Sequence, residues 1–178
     1  FHMPLQSGSD DVLKLMKRRY DSTLFRHKVE KIKKVLPHAF IGVDVIVGVR
    51  GETDDYFFQG EEFIRSIDFS QLHVFTYSER PGTAALTIDY AVDPRTKHAR
   101  SKTLLDLSDR RLEEFYLSQQ GSRRKVLFEH TKRGKKMHGF NENYVKLYAD
   151  YDASLVNKVI EVEVGAYDEN EMAMKAIF

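Results

Sequence analysis

Polar side chains and glycines collect at three points of this sequence, each directly after an apolar run. They are Gln6-Ser7-Gly8-Ser9, the loop from Gly48 through Arg50, Gly51 and Glu52 to Thr53, and Tyr77-Ser78-Glu79-Arg80-Pro81-Gly82-Thr83. Amide, hydroxyl, carboxylate, phenol and guanidinium groups in such loops can hold a small ligand, and a guanidinium such as that of Arg80 can grip a planar anion at two points. If the apolar runs are parallel strands, the loops share one rim at the carboxyl end of the sheet. They then present Gln6, Ser7, Glu52, Tyr77, Ser78 and Arg80 to a common ligand. Taken singly, each loop is also explained as turn and cap chemistry, where Gly, Ser and Thr are common; three together are harder to dismiss.

Other chemistries have less support. The seven histidines, His2, His27, His38, His73, His98, His130 and His138, show no H-x-x-x-H spacing, so no metal site is expected. His73, inside a strand, is expected at a hydrogen-bonded core or rim position. Ser7 precedes a glycine but has no G-x-S-x-G elbow around it, and the Gly48 loop is not a G-x-x-x-x-G-K-[ST] phosphate loop. The absence of cysteine excludes disulfides, thiolate metal sites and cysteine-held iron–sulfur clusters within these residues. A formal net charge of +1 excludes little, because a local basic face can bind a polyanion while the total stays near zero. No apolar run reaches membrane-spanning length, so no membrane partner is expected and a cytoplasmic location is.

The elements that must position these loops follow from periodicity. With 178 residues, 42% hydrophobic and 12% aromatic, the chain can bury a real core in one large or two small domains. Phe1 to Leu5 is an apolar run without an initiator methionine, so the chain reads as a piece of something longer. Ser9 is placed to cap a helix bearing Val12 or Leu13, Met16 and Tyr20, with Lys17, Arg18 and Arg19 in its last turn. Ser22 caps a second helix with Phe25, Val29, Ile32 and Leu36 inside, ended by Pro37. A β-branched strand from about Phe40 to Val47 follows. Thr53 then caps a helix through Phe57, Ile64 and Ile67, weakened at its centre by Gly60. Leu72 to Tyr77 is the next strand. Three such units predict part of a parallel α/β barrel or an open sheet across residues 1–94.

The texture changes after Pro94. Residues 95–120 form one long helical pattern with Leu105, Leu112 and Phe115 on a face, closed by Gly121. Residues 121–178 have period two, strictly so in Ile160-Glu161-Val162-Glu163-Val164, and predict a small antiparallel β-barrel of oligonucleotide-binding size. Arg123, Arg124, Lys125, Lys132, Arg133, Lys135 and Lys136 cluster there, and His138, Phe140 and Tyr144 follow. Cations beside rings suit phosphates and stacked bases, the alternative being a solvated hairpin or, for the rings, a place in the core.

Four segments carry a family resemblance. Pro4-Leu5-Gln6-Ser7-Gly8-Ser9, with Val12-Leu13, Met16, Arg18 and Tyr20, resembles the P-L-Q-S-G-S…V-L…M-x-R-x-Y signature of the radical S-adenosylmethionine methylthiotransferases. Asp44 to Thr53 resembles the family's D-x-I-V-G-F-P-G-E-T. His73 to Ala85 resembles H-V-F-x-Y-S-x-R-x-G-T-x-A. Val126-Leu127-Phe128-Glu129 and Gly139 to Val145 resemble the RNA-binding TRAM domain that ends these enzymes. The resemblance implies α/β plus all-β architecture: the second half of a parallel (β/α) partial TIM-type barrel, a connecting helix, and a TRAM barrel.

It further implies a tRNA-modifying enzyme, most similar to the branch that methylthiolates threonylcarbamoyladenosine beside the anticodon. Alternatives are the branches acting on isopentenyladenosine in tRNA or on a ribosomal protein, and, from another class, a non-catalytic RNA-binding protein. The full-length enzymes use S-adenosylmethionine and two 4Fe-4S clusters. The C-x-x-x-C-x-x-C loop of the radical cluster is absent here, so this chain alone is expected to be inactive, with neither cofactor bound and an open sheet edge able to pair with another chain. By resemblance Gln6, Ser7, Asp44, Gly48 and Gly51 line the S-adenosylmethionine pocket, and Arg18 and Arg80 meet its carboxylate or the RNA. Arg123, Arg124, Lys132, Arg133, Lys135, Lys136, Phe140 and Tyr144 contact tRNA. Val49-Arg50 stands where the family has Phe-Pro, and Arg50 is expected to face solvent at a relaxed turn.

Overall fold

The computed structural model of the chain describes residues 1–133 and 135–178, the side chains of 131–133 excepted. Its residues fall into two compact units, Phe1–Leu112 and Glu113–Phe178.

In the first unit three strands, β1 (His2–Gln6), β2 (Gly42–Val47) and β3 (Gln71–Thr76), form a parallel sheet in sequence order. Helices α1 (Asp10–Leu15), α2 (Ser22–Val35), α3 (Asp54–Arg65) and the first part of α4 (Pro94–Leu117) accompany it. The alternation of β2 decides which sheet face is covered: Val43, Val45 and Val47 join Leu5, Leu72, Phe25, Val29, Ile64, Leu104 and Leu107 in one buried cluster. The opposite face carries His2 and Pro4 from β1, Asp44 and Ile46 from β2, and His73 and Phe75 from β3, with Pro4 in register with Asp44, Asp44 with His73, and Ile46 with Phe75. These side chains are half-buried or exposed, an unusual state for a parallel sheet, which is ordinarily covered on both faces.

Several local expectations change. The first helix stops at Leu15, because Lys17 takes the left-handed conformation at φ 55°; Lys17, Arg18 and Arg19 lie beyond it. Ser9 occupies the cap position, but its hydroxyl makes no cap bond and is buried without a partner. Asp21, not Ser22, caps α2 by accepting from the Leu24 amide. Thr53 caps α3 as expected, accepting from the Tyr56 amide. Gly60 is less a weakness of α3 than a contact surface: a Cβ on Gly8 would stand 2.3 Å from the Gly60 carbonyl oxygen, so the first loop touches the helix backbone directly. In α4 the buried apolar positions are Leu104, Leu107, Phe115 and Tyr116, with Arg100 and Ser108 buried among the polar ones, while Leu105 is exposed.

The second unit is a closed barrel of β4 (Arg123–Arg133), β5 (Lys136–Asn141), β6 (Lys146–Asp150), β7 (Val159–Asp168) and β8 (Ala173–Ile177), in the order β4-β5-β6-β8-β7. Its interior holds Val126, Phe128, Met137, Leu147, Val162, Val164 and Met174. The barrel is mixed rather than wholly antiparallel, since β6 and β8 run parallel. The cause is arithmetic: a closed ring with an odd number of strands cannot alternate direction throughout.

Candidate functional site

The three loops predicted from sequence do converge at the carboxyl end of the parallel sheet, and a buried carboxylate braces the second of them against α4. Glu52 follows β2 and is 3% exposed. Its Oε2 accepts from the Gly48 amide at 2.6 Å and from the Arg100 guanidinium, on α4, at 2.7 Å. Arg100 also donates to the Glu52 carbonyl at 2.9 Å and to Asp54 at 2.6 Å, and its guanidinium lies over the Phe57 ring. Burial pushes the Glu52 carboxyl up, against the opposing pull of the Gly48 amide, Arg100 and Lys97. Burial also works against the charge on Arg100, but its bonds to Asp54 and Glu52 win and raise its pKa.

Gly48 can occupy this turn because it sits at φ 76°, where an L side chain is strained; a Cβ there would also meet Lys97 Cγ at 2.3 Å. Lys97 in turn donates to the Tyr77 carbonyl at 3.1 Å, linking the second loop to the third. Arg50 makes a second link, donating to Glu79 at 2.6 Å and to the Ile88 carbonyl at 3.1 Å. It is therefore a loop-to-loop tie instead of a solvent-facing residue, and the bond to Glu79 raises its pKa. The first loop joins through a narrow cleft lined by Ser7, Gly8, Glu52, Tyr56 and Gly60, with about 10 Å³ of free space, room for no more than one water.

The other predicted pocket residues divide by availability. Gln6 ends β1 in the left-handed region at φ 71°, a conformation that costs a non-glycine residue on the order of 1–3 kcal/mol and that gathers at functional sites. Its side-chain oxygen accepts from Arg18 at 2.9 Å, an exposed pair. Arg80 is exposed. Ser7 is buried, its hydroxyl accepting from the Ser9 amide, and Gly51, at φ 83°, donates to the Tyr90 carbonyl with Leu15 against its Cα. Asp44 lies mid-strand on the open sheet face, 2.5 Å from His2 and opposite His73. Sequence spacing missed Arg100 and Lys97, which lie on a helix read only for its apolar face. It also missed the gathering of His2 and His73 around Asp44.

In the barrel the basic cluster is partly neutralised. Arg123 faces Glu161 at 3.6 Å, Arg124 reaches Gln119 at 3.2 Å and Glu142 at 3.7 Å, and Lys136 pairs with Asp150 at 2.8 Å. Lys125 and Lys135 are exposed, while the side chains of Lys132 and Arg133 lie outside the described residues. Phe140 and Tyr144 are not core: both are exposed, with ring centroids 6.4 Å apart. Leu127 lies beside Phe140 in register and Val159 beside Leu127, so the rings head an exposed apolar row across three strands.

No family model matches the chain. Among curated proteins it is 35% identical, over 176 residues and 96% of its length, to a threonylcarbamoyladenosine tRNA methylthiotransferase of Bacillus subtilis. The chain belongs to the methylthiotransferase family. A tRNA-2-methylthio-N(6)-dimethylallyladenosine synthase of Aliarcobacter butzleri is 34% identical over 92% of this chain, and one of Streptomyces avermitilis is 42% identical over 61% of it. The chain spans 39% and 38% of the length of the Bacillus and Aliarcobacter relatives. Among the described residues no helix is long and apolar enough to cross a membrane.

Proposed function

We propose that this chain serves a tRNA methylthiotransferase of the relatives' length, acting on threonylcarbamoyladenosine beside the anticodon, in the cytoplasm. The observation that carries the proposal is the alignment of nearly the whole chain with the Bacillus relative, across both the strand-end loops and the barrel. The open sheet face, lined by Pro4, Ile46 and Phe75 among others, fits a half-barrel whose interior is completed by further strands, and the free edge of β1 is where such a strand would pair.

Iron–sulfur clusters do not fit the residues present, since the chain has no thiolate to hold one. S-adenosylmethionine fits better. Gln6, Arg18 and Arg80 offer an amide and two guanidiniums at the rim, and a guanidinium there can orient an amino-acid carboxylate by two parallel bonds. When bound, S-adenosylmethionine supplies the reactive carbon and methyl chemistry. Ser7, Gly48 and Gly51 shape the floor from inside, and the Glu52–Arg100 clasp keeps the Gly48 turn in place. The barrel contributes tRNA affinity, through Lys125, Lys132, Arg133 and Lys135 on phosphates and Phe140 and Tyr144 against unpaired bases. Arg123, Arg124 and Lys136 contribute less, because each has an acidic neighbour.

RNA binding without chemistry is the second reading, favoured by the lack of cysteine. One experiment separates the two. The corresponding segment of the Bacillus relative is replaced by this chain in a strain lacking that enzyme, and tRNA hydrolysates are analysed by mass spectrometry. Recovery of 2-methylthio-threonylcarbamoyladenosine supports the proposal. A stable chimaera that binds tRNA and leaves the nucleoside unmodified sinks it in favour of the second reading, and modification of dimethylallyladenosine instead reassigns the substrate.

A further inference from the structure

The open face of the parallel sheet carries a second constellation, built by neither the rim nor the barrel. His2 on β1, Asp44 on β2 and His73 on β3 offer three ligand atoms that all lie within 4.8 Å of one another. The sheet fixes them: Asp44 stands directly opposite His73, Pro4 is opposite Asp44, and His2 precedes Pro4 by one side-chain repeat on the same face. The start of β1 is anchored by the Gly42 amide donating to the Phe1 carbonyl at 2.8 Å, so His2 is held by backbone pairing. The two imidazoles stack at 5.1 Å with Asp44 bonded to one of them.

We propose that His2, Asp44 and His73 bind a divalent transition-metal ion of the zinc type. Two imidazole nitrogens and one carboxylate oxygen are the donor set that such ions take, whereas magnesium and calcium prefer all-oxygen shells and copper(I) prefers sulfur. Metal–ligand bonds of about 2.0 Å at a tetrahedral angle place ligand atoms about 3.3 Å apart. The present separations are compatible with that value, 2.5 Å between His2 and Asp44 and no more than 4.8 Å for any pair. Binding therefore requires only that the His2–Asp44 hydrogen bond open slightly and the imidazoles turn toward the ion. Three protein ligands leave a fourth position for water or an anionic ligand on the open side of the sheet. With one carboxylate and two neutral imidazoles, the loaded site keeps a net charge of +1, which favours an anion in that position.

The 178-residue chain, stripped with a chelator, is titrated with zinc chloride by calorimetry, and its melting temperature is followed with and without the ion. The expected result is one ion per chain and a rise in melting temperature, because the three ligands are brought together only in the folded state. His73→Ala and the isosteric Asp44→Asn each weaken binding by at least about tenfold. Circular dichroism checks that both variants fold, and His138→Gln, in the barrel, leaves the affinity unchanged. Failure of the wild-type chain to bind zinc overturns the proposal. So does binding that survives His73→Ala and Asp44→Asn in folded protein, since the ion would then sit on other histidines.

Discussion

Replacing Arg100 by methionine tests the clasp that organises the rim. The variant keeps the length and much of the volume of the side chain but leaves Glu52, 3% exposed, with the Gly48 amide as its remaining bond among those described. Breaking a buried ion pair from one side costs about 3–5 kcal/mol, because the surviving charge stays buried without its counterion. The Asp54 arm adds little, as that carboxylate is 88% exposed. The retained Gly48 bond argues for the lower end, about 3 kcal/mol, which for a chain of this size lowers the melting temperature by roughly 6–12 °C.

The loss also has a pH signature. Burial already holds the Glu52 carboxyl above its ordinary value, and removing Arg100 takes away two of the interactions that lower it. A carboxyl whose folded pKa exceeds its unfolded value stabilises most below the unfolded pKa, and that contribution is lost as pH rises through the folded one. The variant's deficit is therefore smallest at pH values below the ordinary carboxylate range and grows toward neutrality. Adding Glu52→Gln to Arg100→Met recovers part of the stability and flattens the pH dependence. Urea melts followed by circular dichroism across that range measure both effects. A deficit under about 1 kcal/mol, or one that is the same at every pH, refutes the claim that Glu52 depends on Arg100.

Gly8→Ala is expected to destabilise the chain by about 3 kcal/mol, at the upper end of overpacking costs, because its Cβ would press on the backbone of Gly60 and not on a side chain that can swing away; a thermal melt within 1 °C of wild type would show that the loop and α3 separate easily. Phe140→Ala is expected to weaken tRNA retention on filters by the equivalent of about 1–3 kcal/mol if one base stacks there, with stability unchanged since the ring is exposed; unchanged retention across a salt series would remove the ring from the RNA surface.

Much of the first unit was legible because its signals are local. The β-branched run of β2, the Thr53 cap and the hydrophobic steps of α2 each need only a few neighbouring residues to be read, and each corresponds to an element found. Where local signals competed, the structure chose differently. Met16 and Tyr20 continue a helical spacing, yet the left-handed Lys17 ends the helix, and the Tyr20 hydroxyl instead donates to the Pro4 carbonyl. In α4 Leu105 and Leu104 are equally apolar, and only the position of the sheet decides that Leu104 is buried. The strand Lys136–Asn141 holds a lysine, a histidine and a glycine in place of a β-branched run, and its pairing with β4, Phe140 against Leu127, helps to close the ring.

The site obeys the same logic at longer range. Its loops could be found because each follows an apolar run, but the groups that lock them come from a helix 48 residues downstream, and no spacing rule connects Glu52 with Arg100. The histidines make the point from the other side. Metal motifs such as H-x-x-x-H are helical spacings, which place two ligands on one turn; a parallel sheet instead collects ligands laterally, one from each strand, at separations set by the crossover helices. His2, Asp44 and His73 are of that second kind, adjacent through strand register and remote along the chain. A search for their pattern in sequence must therefore begin with the register of the strands.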